Sequence, residues 1–216
     1  MRRPRRRGAG VLLVLLALIA GLLVAADLTA RRVAEDELAK RVAARVPEAS
    51  STSAKVRSFL FLGRLLTSGK VAEVDAGVTD VTVRGLRFAS VGVALHGVKI
   101  DRRQLVRDRR VVLSDIDRGR ARAEVDAAAL AAALGVPVTL EPGRASVTVG
   151  GVKLGASLAV TGGRLIVGGV GVTLPGLELV APLLPCVPDA AVEAGRVVLT
   201  CDFTEIPNEL RVDVQL

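Results

Sequence analysis

From Ser146 to Gly169 the chain repeats one device, a short run of alternating apolar residues closed by paired glycines. Ser146–Val149 leads into Gly150-Gly151, Ser157–Thr161 into Gly162-Gly163, and Leu165–Val167 into Gly168-Gly169. Alternation with period two places apolar side chains on one face of a strand. Glycine reaches positive φ without steric cost, so such pairs mark hairpin turns or bulges. Thr161-Gly162-Gly163-Arg164 reads as a hairpin turn. Strands joined this tightly run antiparallel, as a meander. Half of the chain is hydrophobic but only 2% is aromatic, with four Phe and no Trp or Tyr. A core of Val, Ala and Leu favours strands and gives a smooth apolar interior, suited to close packing or to lipid chains.

The other elements follow from period and punctuation. Asp27 to Val46 predicts a helix, with Ala30, Ala34, Leu38, Val42 and Val46 as its apolar stripe, Asp27 as N-cap and Pro47 as its stop. Lys70–Val83 alternates loosely, and Val91, Val93 and Leu95 alternate clearly, so both are expected strands. Val111-Val112-Leu113 is expected as a short strand within a charged stretch. Asp126 is the expected N-cap of a short helix over 126–134, with Gly135 as its stop. Leu174–Pro188 reads as a loop or short helix, and Val197–Cys201 and Leu210–Val214 as final strands. The expected fold is α+β: a long N-terminal helix packed against one curved, mainly antiparallel sheet of about eight strands.

Residues 1–26 stand apart from this fold. Five arginines at positions 2, 3, 5, 6 and 7 precede an uncharged run from Val11 to Ala26. That is a basic n-region and an apolar h-region, with Val24-Ala25-Ala26 as a cleavage site. A spanning helix needs about 20 apolar residues, so a cleaved signal peptide and a retained signal anchor are both open. Either places residues 27–216, expected as a single domain, outside the cytoplasm. The leader also changes the charge reading. The formal charge is +8, but residues 1–26 hold five basic residues and no acid, leaving 25 basic and 22 acidic residues and a net +3. With no aromatic stacking platform, nucleic acid is excluded as a partner. Export also favours pairing of the two cysteines, Cys186 and Cys201, as a disulfide.

Two segments are candidates for a site. Phe59-Leu60-Phe61-Leu62-Gly63-Arg64-Leu65-Leu66 is either an apolar lip that enters a bilayer or lines a lipid groove, or core packing at the start of a strand. Lys99–Arg122 carries nine basic and four acidic residues. Its arginines Arg102, Arg103, Arg107, Arg109 and Arg110 suit phosphate headgroups. The bland alternative is a solvated hairpin whose arginines pair with Asp101, Asp108, Asp115 and Asp117. No nucleophile–base pair, metal set or cofactor fingerprint stands out. Ser114-Asp115-Ile116-Asp117 lacks the spacing of a calcium loop. His96, the one histidine, sits in an alternating strand as a structural residue.

The order of these features resembles the LmeA-like phospholipid-binding family of actinobacterial cell-envelope proteins. The leader runs into an Asp-initiated Ala/Arg/Glu helix at 27–39. Ser58–Leu66 runs through Lys70 into a strand, and an Asp-Ala-Ala-Ala-Leu helix follows at 126–130. Members usually carry a proline after the phenylalanine and a glutamine before the leucine pair, where this chain has Leu60 and Arg64. The resemblance implies a fold similar to tubular lipid-binding (TULIP-like) domains, in which a curved sheet wraps a long helix. It implies binding of anionic phospholipid, phosphoinositides included, at a membrane surface in support of lipoglycan or envelope maturation. No enzyme activity and no cofactor are expected. The competing expectation is a membrane-tethered scaffold that contacts other envelope proteins through a free sheet edge.

Overall fold

The computed structural model of the chain describes residues 7–58, 61–108, 110–169, 172–173, 176–178, 184–206 and 213–215. Its first element, α1, runs unbroken from Arg7 to Arg45. Asp27 therefore lies inside a helix rather than capping one. Nothing between Val11 and Asp27 breaks a helix, so the turns before Asp27 carry straight into the amphipathic segment. The stop is where proline places it: the Val46 N–H still reaches the Val42 carbonyl at 3.0 Å, and Pro47 follows in a turn.

The first sheet contains β1 (Ser51–Arg57), β2 (Lys70–Val83), β3 (Leu86–Ile100), β5 (Arg118–Asp126), β12 (Asp189–Glu193) and β13 (Arg196–Phe203). Their order is β1-β2-β3-β5-β13-β12, antiparallel throughout, with β4 (Arg110–Asp115) on the end of β3 and β14 (Asp213–Gln215) on β4. The second sheet is a meander: β6 (Val138–Glu141), β7 (Arg144–Val149), β8 (Val152–Thr161), β9 (Arg164–Gly169) and β10 (Val172–Thr173), with β11 (Leu177–Glu178) also on β9. So one curved sheet of about eight strands is corrected to two sheets. The break falls at α4 (Ala127–Leu134), which turns the chain out of the first sheet after β5.

In the second half the hairpin glycines and the stop of the short helix hold, while part of the expected loop over 174–188 and most of the expected strand over 210–214 lie outside the described residues. Gly150-Gly151 and Gly162-Gly163 have φ of +59, +83, +58 and +74, the geometry of two-residue hairpin turns. Gly169 has another role, since a side chain there would strike the Gly155 carbonyl of the paired strand. Gly135, at φ +70, ends α4. Asp126 occupies the N-cap position, but its side chain makes no cap bond. The Ala127 N–H goes instead to the Gly195 carbonyl at 3.0 Å.

The larger apolar cluster lies between the sheets and α4. Val78, Val91 and Leu199 meet Leu130 and Leu134 of α4 and Leu140, Val147, Leu165 and Val167 of the second sheet. Val42 and Val46 of α1 pack against it. Cys186 and Cys201 form the expected disulfide, with Cα atoms 6.0 Å apart. It ties the segment before β12 to the inner face of β13.

Candidate functional site

Three inner-face rows cross the first sheet in register. Val56, Val74, Leu95, Gly119 and Phe203 form one, and Thr52, Val78, Val91, Ala123 and Leu199 another. Between them run the small residues Ala54, Ala76, Val93, Ala121 and Cys201. The first row belongs to a second, smaller cluster: Val56, Phe61, Val71, Val98 and Ile116 are buried there, with Ala30 and Ala34 of α1 packed on it. Towards β13 the two clusters join through Phe203, whose ring lies where a Gly119 side chain would stand. Towards β1 they do not: Leu38, Ala54 and Ala76 are half-buried and belong to neither. Leu38 lies midway between Ala34 and Val42 on the i, i+4 stripe.

Phe61–Ser68 is a helix, α2, and not the start of a strand. Phe61 is 7% exposed and Leu65 half-buried, both in the smaller cluster, while Gly63, Arg64, Thr67 and Ser68 face solvent. One inward pair at i, i+4 suits a helix, whereas a strand would have put the exposed Gly63 and Thr67 on the same face as these two residues. Gly69, at φ +66, closes α2, with its N–H on the Leu65 carbonyl at 3.0 Å. Phe59 and Leu60 lie outside the described residues, as do the side chains of Leu62 and Leu66.

The basic segment also contains a helix, α3 (Arg102–Arg107). The Asp101 carboxylate caps it, accepting from the N–H of Arg103 at 2.8 Å and of Gln104 at 3.4 Å. Asp115 and Asp117 turn to Lys99, at 2.6 and 3.8 Å. The hydrogen bond with Asp115 lifts the Lys99 ammonium above its usual pKa, and the same bond lowers the Asp115 carboxyl. Among the described residues, these aspartates are thus engaged by backbone N–H groups and Lys99 and not by Arg103 or Arg107. Lys99 stands opposite Asp115 in the strand register. Arg103 and Arg107, an i, i+4 pair, are exposed and form no ion pair among the described residues. Arg109 lies outside those residues, and so do the side chains of Arg102 and Arg110.

The two segments meet. The Ile100 N–H donates to the Gly69 carbonyl at 2.7 Å, and Lys70 pairs with Lys99. The end of α2 and the start of α3 are thus fixed to adjacent strands at one end of the sheet, beside the smaller cluster. Leu65, Ile100 and Leu113 all pack on that cluster.

Two residues that sequence reasoning passed over stand close by. Glu35 of α1 accepts from the Val56 N–H at 2.8 Å, which pins the helix to the free edge of β1. Burial raises the Glu35 pKa, but the Val56 N–H, the Arg31 side chain and the charges of Arg31 and Lys55 outweigh it and leave it lowered. Ser58 is 8% exposed, and its hydroxyl has no hydrogen-bond partner among the described residues. A signal for Ser58 existed: it continues the even-numbered inward positions Thr52, Ala54 and Val56. The opposite face of the sheet is a mesh of ion pairs. Arg120 holds Asp202 through two bonds of 2.7 and 3.0 Å, and Glu124 takes Arg122 at 3.0 Å and Arg196 at 2.8 Å. His96 stands there half-buried, opposite Glu73 and Arg118.

No helix among the residues searched is long and apolar enough to cross a membrane, and side chains of the leader are described only from Leu18 on. No curated protein and no solved structure matches the chain. A family match does extend over residues 25–213. Across that length, the chain belongs to the LmeA-like phospholipid-binding family.

Proposed function

We propose that this chain is an exported cell-envelope protein that binds anionic phospholipid, phosphoinositides among them, without covalent chemistry, in support of envelope lipid or lipoglycan maturation. The observation that carries the reading is the hydrogen bond from Ile100 to Gly69, which sets the apolar helix α2 beside the basic helix α3. An apolar wall and two guanidinium groups without an ion pair among the described residues, at one end of a sheet, match the two halves of a phospholipid. Acyl chains would run from the smaller cluster along Leu38, Ala54 and Ala76, between α1 and the sheet. The two sheets with α1 would then serve as a tubular lipid-binding (TULIP-like) body. In this proposal residues 1–26 act as signal peptide or anchor and residues 27–216 as the working domain, in the periplasm or at the membrane surface. The disulfide and the family support that location.

The test is to incubate the chain lacking residues 1–26 with anionic and with zwitterionic vesicles. Binding should favour the anionic set and weaken as salt rises. No binding to either would sink the reading and leave the scaffold as the better account.

A further inference from the structure

We infer that the Ser58 hydroxyl is a lipid-binding group, donating a hydrogen bond to an ester carbonyl of the bound phospholipid. The inference rests on the phospholipid reading and names a contact inside it. A buried hydroxyl is almost always paired, and one left over calls for a cause. Ser58 lies between β1 and α2, two residues after Val56 and three before Phe61, which are 4% and 7% exposed. Both flanking residues belong to the smaller cluster, so the buried, partnerless hydroxyl lies on the stretch of chain that builds it. That cluster is the less sealed of the two. Among the described residues it has five buried members against nine partly buried, whereas the larger has nineteen of each. A ligand with long apolar chains and a few neutral acceptors fits such a place.

The chemistry selects the acceptor. A phosphate brought to a buried hydroxyl would lose its hydration for one neutral bond, which is unfavourable. It belongs with Arg103 and Arg107, which are exposed. An ester carbonyl is neutral, sits between headgroup and acyl chains, and needs only one donor.

The test uses the full chain, as wild type and Ser58→Ala, with a soluble short-chain phosphatidylglycerol (dihexanoyl) below its micelle concentration. Its diether analogue, which has the same headgroup but no carbonyl, is the second probe. Calorimetry should show Ser58→Ala binding the diester roughly 3- to 10-fold more weakly, the worth of one neutral hydrogen bond. It should bind the diether as wild type does, so the loss appears only where both partners exist. The lipid-free variant should melt at the same temperature or slightly higher, because deleting an unpaired buried hydroxyl removes no bond. Equal diester binding by the two proteins overturns the inference, as does an equal loss on both lipids. A variant that melts several degrees lower without lipid also overturns it, since the hydroxyl would then have a protein partner. Wild type that binds neither probe counts against the phospholipid reading itself.

Discussion

Replacing Arg103 and Arg107 by glutamine tests the proposed headgroup end of the site directly. Both side chains are exposed and without an ion pair among the described residues, so their loss removes charge and little else. They stand one turn apart on α3, about 6 Å along the helix axis. That is inside the screening length of about 8 Å at physiological salt. Both guanidinium groups therefore feel the same anionic surface. Each cation near such a surface is worth about 1 kcal/mol, so the double variant should lose about 2 kcal/mol, roughly 30-fold in apparent affinity. Flotation with vesicles of graded anionic content measures it, with residues 1–26 removed so that the apolar leader does not dominate. The loss should be largest at low salt and shrink as salt rises, while affinity for zwitterionic vesicles stays unchanged. Thermal stability should also stay put, because no bond to these side chains is broken. If anionic binding persists at wild-type strength and salt dependence, α3 does not meet the headgroup and the site must lie elsewhere.

Other perturbations address what holds the site in place. Glu35→Gln should flatten the acid limb of stability: the folded carboxyl is lowered from its usual 4.5, so its contribution is complete above that value and disappears as pH falls through the folded pKa. Melting curves from pH 6 to 3 should show wild type losing stability faster than the variant, and parallel curves would refute the pinning of α1 to β1. Reducing the Cys186–Cys201 bridge should cost roughly 3 kcal/mol by the loop-closure argument, about 6–12 °C in midpoint for a domain of this size. A shift under 2 °C would mean that the segment before β12 contributes little to the fold. Gly119→Ala forces a methyl group into the place of the Phe203 ring, so it should destabilise by about 1–3 kcal/mol. Paired with Phe203→Leu, which vacates that space, most of the loss should be recovered, and full additivity of the two in urea melts would argue against the contact.

What the sequence made legible was fenced by local chemistry. The short helix α4 is an Ala/Leu run between Asp126 and a glycine at φ +70, and the hairpins are glycine pairs whose positive φ only one turn class uses. What it hid depended on partners far along the chain. The split into two sheets hinges on β5 pairing with β13, where Asp126 meets Arg196 across seventy residues that carry no local sign of it. The leucine-rich segment at Phe61 gives a helix and a strand equal claims over eight residues, and burial of Phe61 and Leu65 beside α1 and β2 decides for the helix. Asp27 has the side chain of an N-cap, but a cap is used only where a helix begins, and here the turns arrive from upstream.

The candidate site divides along the same line. Its basic and apolar segments could each be picked out by composition, because charge and hydrophobicity are properties of single residues. Their meeting could not, because it rests on the β2–β3 register that sets Lys70 beside Lys99 and on the hydrogen bond from Ile100 to Gly69. Nor could composition separate the arginines from their aspartates. Asp101 is taken by backbone N–H groups and Asp115 by Lys99, which leaves Arg103 and Arg107 without an ion pair among the described residues. An arginine already paired must break that bond before it can hold a phosphate, whereas an uncommitted one offers its full charge. In the proposed reading, Asp101 is therefore spent on capping α3 and Asp115 and Asp117 on Lys99, which would leave the two exposed arginines of α3 to meet an anionic lipid.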